Sequence, residues 1–223
     1  MTADNLNLKS STIEKGLEIA KGFLEKIIYP PLEEVGLLLS DNVKIWRYKN
    51  QIRLLKNVES FVKKRNISTQ KIPVKILLPL LEHSSLEEDP DLIKMWENLL
   101  INYIDSKKSF KNSIFPKVLA EISSDEAKFI NSLFNYIHIG LKVKEVKDFK
   151  YEYESIFNNP ALTKITRLEL TNLIRLSILK ETFSIKKLYK NFKGDSKYLK
   201  DEIHPTISFT EFGIEFLTIC SRK

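Results

Sequence analysis

The sequence predicts a mainly α-helical protein in two parts, an N-terminal helical bundle followed by a smaller α+β domain. Three observations predict it. Apolar residues recur at helical spacing through most of the first half. A polar, charged stretch from Asp105 to Asn112 then interrupts the pattern, and β-branched and aromatic runs appear towards the C-terminus. Glycine is scarce, with six in 223 residues, so long flexible joins are not expected. The division falls near residue 110, giving a helical domain over 1–110 and a second domain over 111–223. Hydrophobic residues at 43% and charged residues at 29% make a globular balance, and the length suffices for a real core.

The elements follow in order. Ser11 to Lys26 reads as an amphipathic helix, with Ile13, Leu17, Ala20 and Leu24 on one face. Pro30-Pro31 interrupts it. Pro31 suits the first turn of a new helix, where its missing N–H costs little, and Glu33 and Glu34 suit the positive end of the helix dipole. That second helix runs from Leu32 to about Lys64. Its buried stripe is Val35, Leu38, Leu39, Asn42, Trp46, Ile52, Leu55 and Val62, with Lys44, Arg47 and Gln51 on the opposite face. A helix of this length serves as the spine of a bundle. Pro73 opens a short helix to Glu82, with Pro79 inside it or ending it. Ser84 or Ser85, with Glu87 and Glu88 three residues on, has the pattern of a capping box. Asp89-Pro90 offers a second start, and the helix from there to about Tyr103 buries Leu92, Met95, Trp96, Leu99 and Leu100.

Beyond residue 110, Ser123-Ser124-Asp125-Glu126 starts a helix with Ala127, Ile130, Leu133 and Phe134 on one face. Phe149 to Phe157 is ambiguous. Thr166 to Leu176 is a helix with apolar Leu168, Leu170, Leu173, Ile174 and Leu176. Ile178 to Ile185 and Ile207 to Thr210 read as two strands joined by a long turn, and Thr210 caps a last helix, Phe212 to Cys220. This order is that of a winged-helix-like α+β domain. Phe209-Thr210-Glu211-Phe212-Gly213 is similar to the turn that leaves the wing in many such domains, and Gly213 lets the last helix approach the strand closely.

Charge is uneven within a net +7. From Asp41 to Lys71 nine basic residues face only Asp41 and Glu59, and from Lys180 to Lys200 seven lysines face Glu181 and Asp195. Such patches suit phosphate backbones or anionic surfaces, and they equally suit a solvated helix face. The candidate binding residues are Lys44, Arg47, Lys49 and Arg53 on the long helix and Lys164, Arg167, Arg175, Lys186, Lys187 and Lys190 in the winged half. Few Asn, Gln or Arg project from the third helix of that half, so non-specific contact to a backbone is the reading. In Trp46-Arg47-Tyr48-Lys49, Trp46 belongs to the core and Arg47 points away from it. Asn98 has the place to hydrogen-bond inside a helix pair.

Catalytic patterns are missing. The glycines are isolated and form no phosphate loop, and His83, His138 and His204 form no metal-ligand spacing. His83 beside Glu82 and near Glu87, Glu88 and Asp89 has the residue types of a metal-dependent nuclease, and helix capping accounts for the same acids more simply. The single cysteine, Cys220, reads as a small apolar residue on the last helix and fits a reducing compartment. No catalytic residue, metal or cofactor is assigned. The polar start lacks a secretory core and no apolar run approaches the roughly 20 residues that span a bilayer, so a cytoplasmic protein without membrane insertion is expected.

Two linked segments carry a resemblance. Pro30-Pro31-Leu32-Glu33-Glu34-Val35-Gly36 leads to Trp46-Arg47-Tyr48-Lys49-Asn50. Leu77-Leu78-Pro79-Leu80-Leu81-Glu82 leads through Ser85-Leu86-Glu87-Glu88-Asp89 to Met95-Trp96-Glu97-Asn98-Leu99-Leu100. Together they resemble the abortive-infection alpha family of bacterial phage-resistance proteins, closely from Phe23 to Asp105 and more loosely through Ile122–Ala127 to Phe209–Cys220. The resemblance implies a role in limiting phage spread and supplies no catalytic residues. The expected function is an antiphage protein that binds nucleic acid non-specifically, or a phage or host protein, through its basic surface. A toxin-like metal-dependent nuclease and a winged-helix transcriptional regulator are the alternatives. The helix at Ser11 to Lys26 gives a homodimer a place to form.

Overall fold

The computed structural model describes residues 18–29, 45–110, 112–142, 144, 146, 149–192 and 195–221, with backbone alone at 29, 45, 46, 48, 186–192 and 195–201. The expectations for residues 11–17 and 30–44, including Lys44 and the Pro-Pro-Leu-Glu-Glu start, lie outside these residues, as does a core position for the Trp46 side chain. The chain is mainly helical with a small three-stranded antiparallel sheet. It divides into two compact units, Met1–Glu121 with Ile219–Lys223, and Ile122–Thr218.

In the first unit, α1 (residues 18–27) buries Ala20, Phe23, Leu24 and Ile27. It leads directly into β1 (Ile28–Tyr29), which pairs in parallel with β2 (Ile72–Pro73). A pairing two residues long leaves almost no periodic signal in sequence. Helix α2 (Ile45–Lys64) buries Ile52, Leu54, Leu55, Val58 and Val62. It ends in a left-handed Asn66 (φ 51°), with Ile67 N–H on the Val62 carbonyl and Asn66 N–H on the Lys63 carbonyl. This double bond pattern satisfies the last carbonyls of the helix, and asparagine is among the few side chains that tolerate that backbone.

Helix α3 (Val74–Ser84) contains Pro79 in its interior, and Ser85 closes its C-terminal end. The Ser-x-x-Glu pattern there is therefore not a capping box. The next helix, α4 (Pro90–Ile104), starts at Asp89, whose side chain accepts the N–H groups of Asp91 and Leu92 at 2.9 and 3.1 Å. From Met95 to Ile104 every residue of α4 is buried, so it is the central helix of the unit. Its buried acid, Glu97, accepts the Asn57 amide at 2.7 Å. Helix α5 (Phe115–Ala120) packs on α3. Trp96, Tyr103 and Phe115 are the largest side chains fully enclosed in this unit.

Two polar residues of α2 turn inwards rather than outwards. Gln51 is buried and its Nε2 donates to the Leu81 carbonyl at 3.2 Å. Arg47 is half-buried, with Nε donating to Ser85 Oγ at 3.1 Å, and Asn50 donates to the Ser85 carbonyl at 3.0 Å. The last carbonyls of α3 already accept locally, Leu81 from the Ser85 N–H and Glu82 from Ser85 Oγ, and these side chains add bonds that tie the end of α3 to α2. The opposite face expected for Arg47 and Gln51 is thus a helix-packing face.

In the second unit, α6 (Ser124–Asn135) begins with a capping box between Ser123 and Glu126, and a π-helical turn (Tyr136–Gly140) follows it. Next come β3 (Tyr151–Glu152) and α7 (Tyr153–Asn158), which resolve the ambiguous stretch. Helix α8 (Arg167–Arg175) has its own capping box, Thr166 with Glu169. It buries Leu170 and Leu173, but Leu168 is 81% exposed and does not join that face. Strands β4 (Leu179–Phe192) and β5 (Asp195–Phe209) pair antiparallel along their whole length, and the sheet order is β3-β5-β4. The expected long turn is thus a hairpin, because pairing satisfies backbone groups that an open loop of that length leaves to water. Helix α9 (Glu211–Cys220) begins where Thr210 Oγ1 accepts the Gly213 N–H at 2.8 Å. A Cβ on Gly213 would lie 2.1 Å from the Ile178 carbonyl oxygen, so only glycine fits.

Candidate functional site

The basic residues separate into exposed ones and engaged ones. On α2, Lys49 and Arg53 are exposed one helical turn apart, Lys56 follows half-buried, and Lys64 is exposed near the end. Residues three and four apart share a helix face, so these cations form one stripe. None of Lys49, Arg53, Lys56 and Lys64 makes an ion pair with a described residue, whereas Lys63 pairs with Glu59 at 2.8 Å. Arg47 stands apart from the stripe because it caps α3.

In the second unit the arginines are committed. Arg167 meets both carboxylate oxygens of Glu154 at 3.0 and 3.1 Å, and its guanidinium lies 5.0 Å from the Phe157 ring centroid and 5.6 Å from that of Tyr153. Hydrogen bonding to Glu154 first, and its charge second, raise the Arg167 pKa. Arg175 donates from Nε and from Nη2 to Asn172 Oδ1, and Asn172 donates in turn to the buried Glu126. Lys164 is exposed. Lys186, Lys187 and Lys190 lie along β4, opposite Glu202, Asp201 and Lys197 in the strand register.

The acidic stretch after α3 is occupied by local bonds. Glu87 accepts the N–H groups of Glu88 and Asp89, Asp89 caps α4, and His83 stacks on Trp96 with ring centroids 6.5 Å apart. Among the described residues no three of His, Cys, Asp and Glu are grouped to hold a metal ion. Cys220 is buried, and desolvation pushes its thiol pKa far above the ordinary range, so the sulfur is held protonated.

A feature that sequence reasoning missed is a cavity of about 180 Å³ within the first unit. Phe61 and Ile101 give it apolar walls, and Arg65, Asp105 and Lys108 supply charge. The Arg65 guanidinium sits 5.8 Å from the Phe61 ring centroid. Asn98 and Asn102, one turn apart on α4, also line it, and both are buried. Their amide nitrogens donate to the Cys220 and Ile219 carbonyls at 3.0 and 2.6 Å, so Asn98 does bridge two helices. Lys108 Nζ donates to Asn102 Oδ1. Gln70 fixes the loop that carries Asp105 and Lys108: its Nε2 donates to the carbonyls of Tyr103, Asp105 and Lys108. The lining comes from three separated segments, which no local motif connects.

Fold and surface define a mainly helical protein with a hairpin-bearing α+β unit, a cationic helix and a small polar cavity. The family model described as abortive infection alpha matches residues 40–220, and the chain belongs to that family. No curated protein and no solved structure matches it. Membership points to a bacterial abortive-infection function. Among the described residues no helix is long and apolar enough to cross a membrane.

Proposed function

We propose that this protein acts in abortive infection as a non-enzymatic, cytoplasmic binder of nucleic acid, holding the phosphate backbone through a basic surface without reading sequence. The observation that carries this reading is the α2 stripe: Lys49, Arg53, Lys56 and Lys64 share one face and have no carboxylate partner among the described residues. Cations already neutralised by acids release fewer counterions from a nucleic acid, so unpaired ones dominate its salt-dependent affinity. The second unit contributes as a winged-helix-like domain, with the sequence divided at 1–110 and 111–223. Its element order, helix–strand–helix–helix–strand–strand–helix with sheet order β3-β5-β4, supports that assignment. In this reading Lys164 and the β4 lysines Lys186, Lys187 and Lys190 add backbone contacts, and Arg167 and Arg175 do not. Helix α1, with Ile19 exposed, is the surface for a homodimer.

The test is anisotropy of a labelled single-stranded RNA and a labelled duplex DNA at several salt concentrations, with wild type and the triple variant K49E/R53E/K56E. Binding that steepens at low salt and weakens in the variant supports the reading. Affinity that ignores both salt and the variant overturns it, and a phage or host protein then becomes the partner to seek.

A further inference from the structure

The hairpin of the second unit turns apolar side chains to solvent and polar ones towards cover. Phe183, Ile185 and Ile203 are 62%, 66% and 68% exposed, whereas Thr182, Ser184, Glu202 and His204 on the other face are half-buried and Thr206 is buried. The register sets Phe183 opposite Pro205 and Ile185 opposite Ile203, so these four residues form one patch. Strand β4 is also the outer strand of its sheet. The Thr210 N–H bonds the Ile178 carbonyl, one step from the Leu179–Phe209 pair. The alternation that follows turns the backbone groups of the even-numbered β4 residues towards β5 and those of Glu181, Phe183, Ile185 and Lys187 outwards. An outer strand with open backbone groups beside an apolar patch is a template for another strand.

We propose that the strand it takes is β4 of a second copy of this chain, paired antiparallel about a twofold axis at Ser184. Side-chain complementarity sets the position of the axis. Centred on Ser184, the pairing opposes Phe183 to Ile185 of the second copy, Glu181 to Lys187, Thr182 to Lys186 and Lys180 to Leu188, and the symmetry repeats each pair. Apolar residues meet in the middle, opposite charges meet on either side, and no lysine faces a lysine. Neighbouring positions fail this test. Centring on Phe183 opposes Lys180 to Lys186, centring on Ile185 opposes Phe183 to Lys187, and centring on Lys186 or Lys187 opposes that lysine to itself. The outward-facing residues of the two strands supply about eight hydrogen bonds across the axis. The two patches merge into rows of Ile203, Ile185, Phe183 and Pro205, which covers side chains exposed in the single chain. The irregularity between Leu188 and Tyr189 ends the regular edge there. This contact uses a different element from α1 and does not rest on the nucleic-acid reading.

The experiment is sedimentation velocity of the full chain over a concentration series, joined to disulfide trapping under mild oxidation. Cys220 is buried, so a cysteine placed in β4 is the accessible thiol. S184C faces itself across the axis at the short spacing of a non-hydrogen-bonded pair and should cross-link, whereas K186C, opposite Thr182, should not. E181K sets like charges against Lys187 of the second copy and should weaken dimerisation at least about tenfold, and E181K/K187E, which exchanges the two charges, should restore it. Thermal melts establish that the variants remain folded. A concentration-dependent dimer that follows this pattern supports the proposal. Larger assemblies in wild type that shrink to dimers in E181K also support it, with α1 as a second contact. A dimer unchanged by E181K and not trapped through S184C overturns it and leaves α1 as the pairing surface. A monomer at every concentration overturns both contacts. If that monomer sediments with phosphatidylglycerol vesicles, and F183S/I185S does not, the patch belongs to a lipid surface and the proposal is equally overturned.

Discussion

Helix α2 of the first unit and helix α8 of the second both carry basic residues, and the two units use them differently. On α2, Arg47 caps a neighbouring helix while Lys49, Arg53, Lys56 and Lys64 are left as an open stripe. Around α8, Arg167 is bonded to Glu154 and laid over two aromatic rings, and Arg175 is bonded to Asn172. The difference teaches that formal charge and available charge are separate quantities. A guanidinium bonded by a carboxylate is already satisfied, whereas a solvated lysine remains open to a phosphate.

That contrast can be broken or sharpened by substitution. The largest effect is expected from K49E/R53E/K56E. Its affinity for RNA should fall roughly 100-fold at physiological salt, and the slope of log affinity against log salt should flatten by about 2–3, as three lost phosphate contacts require. Anisotropy titrations measure both. Next is Gly213→Ala, which forces a Cβ onto the Ile178 carbonyl and should cost about 1–3 kcal/mol in chemical denaturation without altering the salt slope. Arg47→Ala removes donors from the end of α3 and should cost about 1 kcal/mol in urea unfolding, with RNA affinity within twofold of wild type. A large loss of RNA binding in that variant would mean that Arg47 is not confined to capping.

Cys220 provides a pH-dependent check on the first unit. Its pKa is raised in the folded state, so the folded form keeps its proton where the unfolded form loses it. Its contribution to stability is therefore complete below the unfolded thiol value of about 8.5 and declines as pH rises above it. A thiol reagent at pH 8 should label Cys220 only after denaturant is added, and rapid labelling of the native protein would contradict the buried position. The smallest effect is expected from Arg167→Gln. It should lower the melting temperature slightly, more at low salt than at high, and leave the salt slope of RNA binding unchanged.

Much of this was legible wherever local rules decide the outcome. Asp89-Pro90 marks the start of α4, Ser123 and Thr166 head helices, and Gly213 marks a close approach, because each signal needs only a few neighbouring residues. Helical spacing also placed Ile52, Leu55 and Val62 in the core. What local rules could not decide was left to tertiary packing. Nothing in the sequence around Gln51 or Arg47 announces that they bond to the end of α3, and nothing around Gln70 announces three carbonyls more than thirty residues away. The cavity is illegible for the same reason, since Phe61, Asn98 and Ser221 meet only in the fold. The hairpin was half legible: its base reads as strands, but its lysine-rich middle reads as a turn until strand pairing is taken into account.

The central claim is that the open cations of α2, and not the bonded arginines near α8, give the protein its affinity for nucleic acid. The most direct measurement is the salt dependence of RNA binding for wild type, K49E/R53E/K56E and R167Q/R175Q side by side. The account predicts a steep slope in wild type, a flattened one in the α2 variant and an unchanged one in the arginine variant. A slope that flattens in R167Q/R175Q while the α2 variant keeps wild-type behaviour would contradict it.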